Sequence, residues 1–281
     1  AQWHGFAELS TCARPAHTLV CCIGTHLNWS THHAILDLNA MMDLESQRLS
    51  VRPLLDVGAP GDAMEAYYAL YHDPARTELF LHYGADKRPD GFLARVQTGA
   101  DLFRPLVIMR ARSKHVATSL FQRGLIPGRS YYAVLPVPLA EIAFDELQLP
   151  DPQVLRIFHL DPARYQPVIN VLVKPHRYDD GKPRYEIRSQ DRLHAMAGIN
   201  WHSPLFAEVY VFVDPAARGR GLGRSVVSAL VGNLCASGLT PLYVVAEDNQ
   251  ASLSIAESVG FVDTGVQRAS GFALCPGGTH T

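Results

Sequence analysis

The stretch that most constrains this chain is PAARGRGLGRSVV, residues 215–227. It follows AEVYVFV, whose alternation reads as a strand, and precedes RSVVSALVGNLCASG, where Val226, Leu230, Val231 and Leu234 recur at helical spacing and Gly238 marks a stop. A strand that feeds a helix through Gly219, Gly221 and Gly223 brings unpaired N–H groups to the first helical turn, where the helix dipole adds partial positive charge. Arg218, Arg220 and Arg224 place full charges around the same point. Such a turn binds phosphate, and glycine is needed where a side chain would hold the anion away from the backbone nitrogens.

Composition narrows the ligand. With 281 residues, 47% hydrophobic, and a formal net charge of -2, the chain lacks the basic excess of a general nucleic-acid binder, so a small molecule is the expected partner. No apolar run approaches the roughly 20 residues of a membrane-spanning helix, so no membrane partner is expected. Cys12, Cys21, Cys22, Cys235 and Cys275 show neither a C-x-x-C pair nor zinc-ligand spacing, so no metal is expected and the setting reads as reducing and cytoplasmic. HTLVCCIGTHL resembles the core of a secretion signal, but His26 interrupts it and no small-x-small cleavage pattern follows.

The chain divides into three parts. Residues 1–40 hold Cys12, Cys21 and Cys22, no lysine, and no sustained periodicity, and Met41 and Met42 follow them. Two readings stay open: sequence upstream of a natural start, or an extension that packs on the body. Residues 41–148 read as a mixed α/β unit, with helices near residues 62–71 and 114–123 and strands near 91–98, 105–110 and 130–137. LPDPQ, residues 149–153, is a proline-bearing linker, and residues 153–281 form the second unit. There RYEIRS and LHAMAGINW read as neighbouring strands joined tightly through SQDR. PLYVVAE is a buried strand, NQASLSIAESVG a short helix ending at Gly260, and FVDTGVQ a last strand. The strand, helix, strand order of RPLVIMRARSKHVATSLFQRGLIPGRSYYAV is echoed in TPLYVVAEDNQASLSIAESVGFVDTGV, which suggests two related halves. HDPAR and LDPAR are capped turns with proline at the first helical position.

Three phosphate-binding patterns compete for the glycine turn. A P-loop requires a lysine that the stretch lacks. A dinucleotide fingerprint requires a third glycine where Arg224 stands, although Glu247 or Asp248 offers a ribose carboxylate. RGRGLG, an Arg-x-x-Gly-x-Gly pattern through Arg218, Gly221 and Gly223, resembles the pyrophosphate loop of the GNAT superfamily of acyl-CoA-dependent N-acyltransferases. VYVFVDPAARGRGLG resembles that family's fourth strand and loop. VVAEDNQASLSIAESVGF resembles its second signature through Asn249, Ser252, Gly260 and Phe261. The two-unit layout is similar to the glycine N-acyltransferase-like and FR47-like branches.

The resemblance implies an α/β GNAT fold: a mixed central sheet flanked by helices, with a degenerate GNAT-like half over residues 41–148 and the catalytic domain over 153–281. It implies acetyl-CoA or another acyl-CoA as co-substrate, one per chain. Arg218, Gly219, Arg220, Gly221, Leu222, Gly223 and Arg224 would hold the pyrophosphate, with Asn249 and Ser252 nearby, and backbone groups of Phe212 and Val213 would pair with pantetheine. The implied reaction moves an acetyl or short acyl group to a primary amine of a small molecule by direct attack, which suits the lack of a Gly-x-Ser-x-Gly elbow. Glu208 is the candidate base, on one strand face with Tyr210 and Phe212. Where the family often has a tyrosine acid this chain has Ala256, and Tyr210 and Tyr243 are the substitutes, unless both are packing aromatics. Trp201 and His202 occupy the bend that often lines the acceptor site. A non-catalytic CoA-binding module is the alternative reading.

Overall fold

A computed structural model describes residues 42–277, apart from the side chains of Phe144 and Asp145. The segment over residues 1–40, with its three cysteines, and Met41 lie outside the described residues.

Asp43 starts the first helix, α1 (Leu44–Val51), by accepting the Ser46 N–H. A second helix, α2 (Ala63–Ala66), runs on as a π-type turn through Tyr67–Tyr71, where the His72 N–H closes on the Tyr67 carbonyl. β1 (Thr77–Tyr83), β2 (Pro89–Val96) and β3 (Leu106–Ala111) follow, then α3 (Lys114–Gly124), β4 (Ser130–Pro136) and α4 (Val137–Glu146). The second half contains β5 (Gln153–Leu160), β6 (Lys174–Arg177), β7 (Pro183–Ser189), β8 (Arg192–His202) and β9 (Phe206–Val213). It closes with α5 (Leu222–Ala236), β10 (Thr240–Ala246), α6 (Gln250–Val259) and β11 (Phe261–Leu274). The expected tight connection between β7 and β8 turns through Gln190 and Asp191, both at positive φ.

One mixed sheet of eleven strands runs through both halves, in the order β1-β2-β3-β4-β11-β5-β10-β9-β8-β7-β6. β11 joins the halves. It pairs with β5 from Phe261 to Ser270, and from Arg268 to Leu274 it also pairs with β4. The sequence showed only its first part, because the apolar pattern fades at Gly265, whose positive φ belongs to an irregularity between Asp263 and Gln267. The repeated unit also differs from the echo read in the sequence. β3 and β4 form a parallel pair across α3, and their counterparts are β9 and β10 across α5; β10 and β11 instead flank β5.

Three apolar clusters hold this sheet. α5 and α6 cover the second half's strands on one face, burying Val226, Leu230, Val231, Leu253 and Val259. α3 and α4 do the same for the first half. The third cluster mixes the halves: Val51, Met64, Ala66 and Ala69 pack with Trp201, Phe206 and Leu242. On this face Arg268 of β11 donates from Nε to Glu65 of α2 at 2.6 Å and from a terminal nitrogen to the Gly61 carbonyl at 2.8 Å, and both charged side chains are buried. Helix α2 is thus tied by an ion pair to the strand that joins the halves.

Candidate functional site

The parallel ladder between β9 and β10 is short. It runs from Phe206 and Thr240 to Val209 and Tyr243, after which β9 stays on β8 as far as Val213 and β10 stays on β5 as far as Ala246. The two strands therefore diverge and leave a notch between residues 210–213 and 244–246.

The glycine turn sits at the mouth of that notch. Asp214 accepts the Ala216 N–H at 2.9 Å and two bonds from the Arg192 guanidinium, which fixes a 3-10 turn over Pro215–Ala217. These donors, the Ala216 N–H first, hold the Asp214 carboxyl below its ordinary range. Gly219 and Gly221 then take left-handed backbones at φ 75° and 70°, and among the described residues no side chain caps α5. Its first helical bond runs from the Ser225 N–H to the Gly221 carbonyl, so the N–H groups of Leu222, Gly223 and Arg224 have no intrahelical acceptor. Arg218, Arg220 and Arg224 are exposed, and none forms a salt bridge among the described residues.

The three glycines do different work. A Cβ at Gly219 or Gly221 would meet open space, so those two are needed for their backbone conformation. A Cβ at Gly223 would lie 2.7 Å from Ile255 Cδ1 and 3.0 Å from Val213 Cγ2. Gly223 lets α5 seat against α6 and the end of β9. The second signature is likewise structural in its side chains: Asn249 caps α6 by accepting the Ser252 N–H at 3.1 Å, and the Ser252 hydroxyl bonds the Tyr243 hydroxyl at 2.9 Å. Gly260 ends α6 at φ 110°, where a Cβ would strike the Arg164 backbone at 2.8 Å.

The substitutes for the missing tyrosine acid are both engaged in packing. Tyr243 is 2% exposed, sits edge-on to Phe261, and burial pushes its phenol up to about 12. Tyr210 lies across Gly198 of the neighbouring strand and accepts a bond from Arg184 Nε at 3.0 Å. Ala256 is fully buried.

Glu208 lies on β9 where the ladder to β10 still holds, opposite Leu242. Ala207 and Val209 face the cluster under α5, so Glu208 shares the other face with Phe206, the face covered by α2. A bulge then does something alternation does not predict. Ile199 pairs with Val209, but Trp201 pairs with Glu208, so the extra residue Asn200 shifts Trp201 to Glu208's face. The Asn200 amide donates to Glu208 Oε1 at 2.7 Å, and Lys182, from the turn before β7, donates to the Asn200 carbonyl. Protein atoms crowd the carboxyl although part of its surface remains accessible. Desolvation raises its pKa above the usual 4.5, while Asn200, the nearby Trp201 indole and the Lys182 charge hold it down. The Trp201 Nε1–H is buried and among the described residues meets no acceptor at hydrogen-bonding distance.

Trp201 is 2% exposed and stacks on Tyr67 at 4.7 Å, with Tyr68 edge-on at 6.4 Å. Burial raises the phenols of Tyr67, Tyr68 and Tyr132, and the charge of Glu208 adds to the rise in each. Of the expected pair at this bend, Trp201 is buried on Glu208's face, whereas His202 is exposed at the strand end. The sequence reading missed Asn200, Lys182, Tyr67, Tyr68 and Tyr132. The only pointer to the tyrosine pair was the aromatic run AYYALY, which has the spacing of ordinary core.

Among the described residues no His, Cys, Asp or Glu cluster is placed to hold a metal ion, and no helix is long and apolar enough to cross a membrane.

A strand pair that parts around a glycine-led helix, inside a mixed sheet with helices on both faces, is the GNAT fold, which the chain shares with solved GNAT structures. More particularly, residues 187–268 match the family model described as FR47-like protein. Among curated proteins, the chain is 41% identical over 71 residues to a mycothiol acetyltransferase of Gordonia bronchialis, covering 24% of this chain and 23% of that protein. It is 44% identical over 66 residues to the mycothiol acetyltransferase of Streptosporangium roseum, covering 23% and 19%. The matched stretch spans less than a quarter of either relative's length. Among solved structures, a GCN5-related N-acetyltransferase from Sphaerobacter thermophilus aligns at a TM-score of 0.58 and 10% identity, over 84% of this chain and 95% of that one. An acetyltransferase of the GNAT family from Colwellia psychrerythraea aligns at 0.50 and 12% identity, over 88% and 98%.

Proposed function

We propose that this protein transfers an acetyl group, or another short acyl group, from acyl-CoA to a primary amine of a small molecule. The observation that carries the reading is the uncapped turn at Gly221, with three exposed arginines, at the mouth of the notch between β9 and β10. The names of the matched relatives support acetyl as the group transferred. In this reading residues 153–281 carry the chemistry and residues 41–148 form a degenerate companion half.

Acyl-CoA supplies an acyl group already activated as a thioester. The N–H groups of residues 222–224, with Arg218, Arg220 and Arg224, bind the pyrophosphate, and backbone groups of Phe212 and Val213 line the edge that receives pantetheine. An N–H group at that edge also polarises the thioester carbonyl, a role worth about 3 to 4 kcal/mol in well-placed sites. Glu208 takes the proton of the attacking amine. A free amine with a pKa of about 10.4 is protonated at neutral pH, and a carboxylate whose basicity is raised by burial suits that transfer. With Ala256 in the usual acid position and Tyr243 tied to Ser252, the thiolate leaves without a dedicated side-chain acid; a thiol pKa of about 8.5 makes it a fair leaving group.

The test is thiol release from acetyl-CoA across a panel of small amines, with Gly221→Glu as the control. Amine-dependent release that disappears in the variant is expected. Donor binding without release from any amine sinks the transfer reading.

A further inference from the structure

The surroundings of Glu208 are not built by the second half alone. Its cross-strand partner Trp201 lies on the same face, and Tyr67 and Tyr68 from the π-type turn of the first half pack against Trp201. The rings form one contiguous group: Tyr67 lies 4.7 Å from Trp201 and 4.9 Å from Tyr68, and Tyr68 lies 6.4 Å from Trp201. Both tyrosines are only half-buried, and neither hydroxyl makes a hydrogen bond among the described residues. Tyr132 borders the same carboxylate, and Lys182 is the nearby cation, engaged with the Asn200 carbonyl. Neither Tyr67 nor Tyr68 falls within residues 187–268, the range matched by the family model.

A partly buried carboxylate beside electron-rich rings has the chemistry of an ammonium site. The carboxylate neutralises the charge, and the rings attract a cation through their quadrupoles, most strongly where water is excluded. An anionic or neutral ligand gains from neither. We propose that the first half supplies the acceptor site, and that it takes a primary alkyl ammonium whose charge lies between the Glu208 carboxylate and the rings of Tyr67 and Tyr68. Tyr67 and Tyr68 are then specificity-determining residues. Calling the ligand an acceptor rests on the acyl-transfer reading; the ammonium site itself does not.

The experiment is a titration of the full chain with n-propylammonium chloride, without acyl donor, read by tryptophan fluorescence against sodium chloride of equal ionic strength. Trp3 and Trp29 also emit, so the difference from Trp201→Phe isolates the residue beside Glu208. The expected result is a saturable change that Trp201→Phe abolishes. Tyr68→Leu, Tyr67→Leu and Glu208→Gln should each raise the midpoint about tenfold, and Tyr68→Phe, which keeps the ring and guards against misfolding, should leave it nearly unchanged. In turnover, Tyr68→Leu should raise KM for the amine and leave KM for the donor unaltered. A change that does not saturate, or a midpoint indifferent to Tyr68→Leu in a folded variant, overturns the site. Saturable binding without amine-dependent thiol release supports the site and sinks the transfer reading instead.

Discussion

The molecule contains the same strand, helix, strand device twice, at β3-α3-β4 and at β9-α5-β10, and the two mouths differ. Each has a short parallel ladder, Leu106 to Ile108 with Tyr132 to Val134 in the first and Phe206 to Val209 with Thr240 to Tyr243 in the second. The first mouth has room and basic side chains. A cavity of about 430 Å³ is lined by Arg110, Arg112, Ser113 and Lys114, among others. Its helix, however, is capped by its own chain: the Ser113 hydroxyl accepts the Val116 N–H at 3.3 Å, and Arg110 is paired with Asp62. The second mouth has Gly221 in place of a capping side chain, and among the described residues its three arginines form no salt bridge. Basic charge is therefore present in both halves, and what separates them is whether the helix-end donors and the basic side chains beside them are left unengaged.

The comparison is easiest to break at Gly221. Glu at this position adds an anion where an anion is to bind and forces a side chain onto a left-handed backbone, so donor binding measured by calorimetry should vanish. The wild-type chain should bind one donor, and Ser113→Gly should leave that stoichiometry at one, because Arg110 stays paired with Asp62. A second equivalent in the wild type would remove the distinction between the mouths.

The next largest effect concerns how the halves are joined. Arg268→Ala strands Glu65 in the interior and should cost about 3 to 5 kcal/mol in denaturant unfolding, whereas replacing both residues with leucine should recover most of the loss. Arg218→Ala should weaken the donor about tenfold by removing one charged contact.

Glu208 sharpens the contrast through pH. Burial raises its folded pKa above 4.5, so the native state binds a proton more readily than the unfolded chain. Stability contributed by that proton is present below 4.5 and lost as pH rises through the raised value, and Glu208→Gln should remove this loss in melts at neutral pH. Activity should run the opposite way, rising through the same window as the base ionises. Asn200→Leu removes a bond that lowers the pKa, so the acid limb of kcat/KM should move to still higher pH. The smallest effect belongs to the closed mouth: Ser113→Ala should cost about 1 kcal/mol of stability with donor affinity unchanged.

Much of the proposed donor site was legible in the sequence, because it is local. The turn, the start of α5 and the cap of α6 depend on residues within a few positions of one another, and glycine, proline and asparagine announce such backbone directly. Gly223 shows the limit even there: its role is set by Ile255, far along the chain, and no spacing rule contains that contact. The proposed acceptor side was scarcely legible. Glu208 and Trp201 were visible as candidates, but their meeting depends on the bulge at Asn200, and a bulge has no reliable composition.

By itself, then, the sequence determined the class of fold and the kind of anion its glycine turn would suit, since strand alternation, helical spacing and left-handed glycines are properties of short segments. Only the tertiary structure decided that β11 welds the halves into one sheet, that Trp201 turns onto Glu208's face, and that Tyr67 and Tyr68 pack against Trp201 from the other half. Those outcomes depend on which surfaces are buried against each other over long chain separations. Burial is satisfied by any suitably apolar partner, so local patterns leave the choice open until the whole chain has packed.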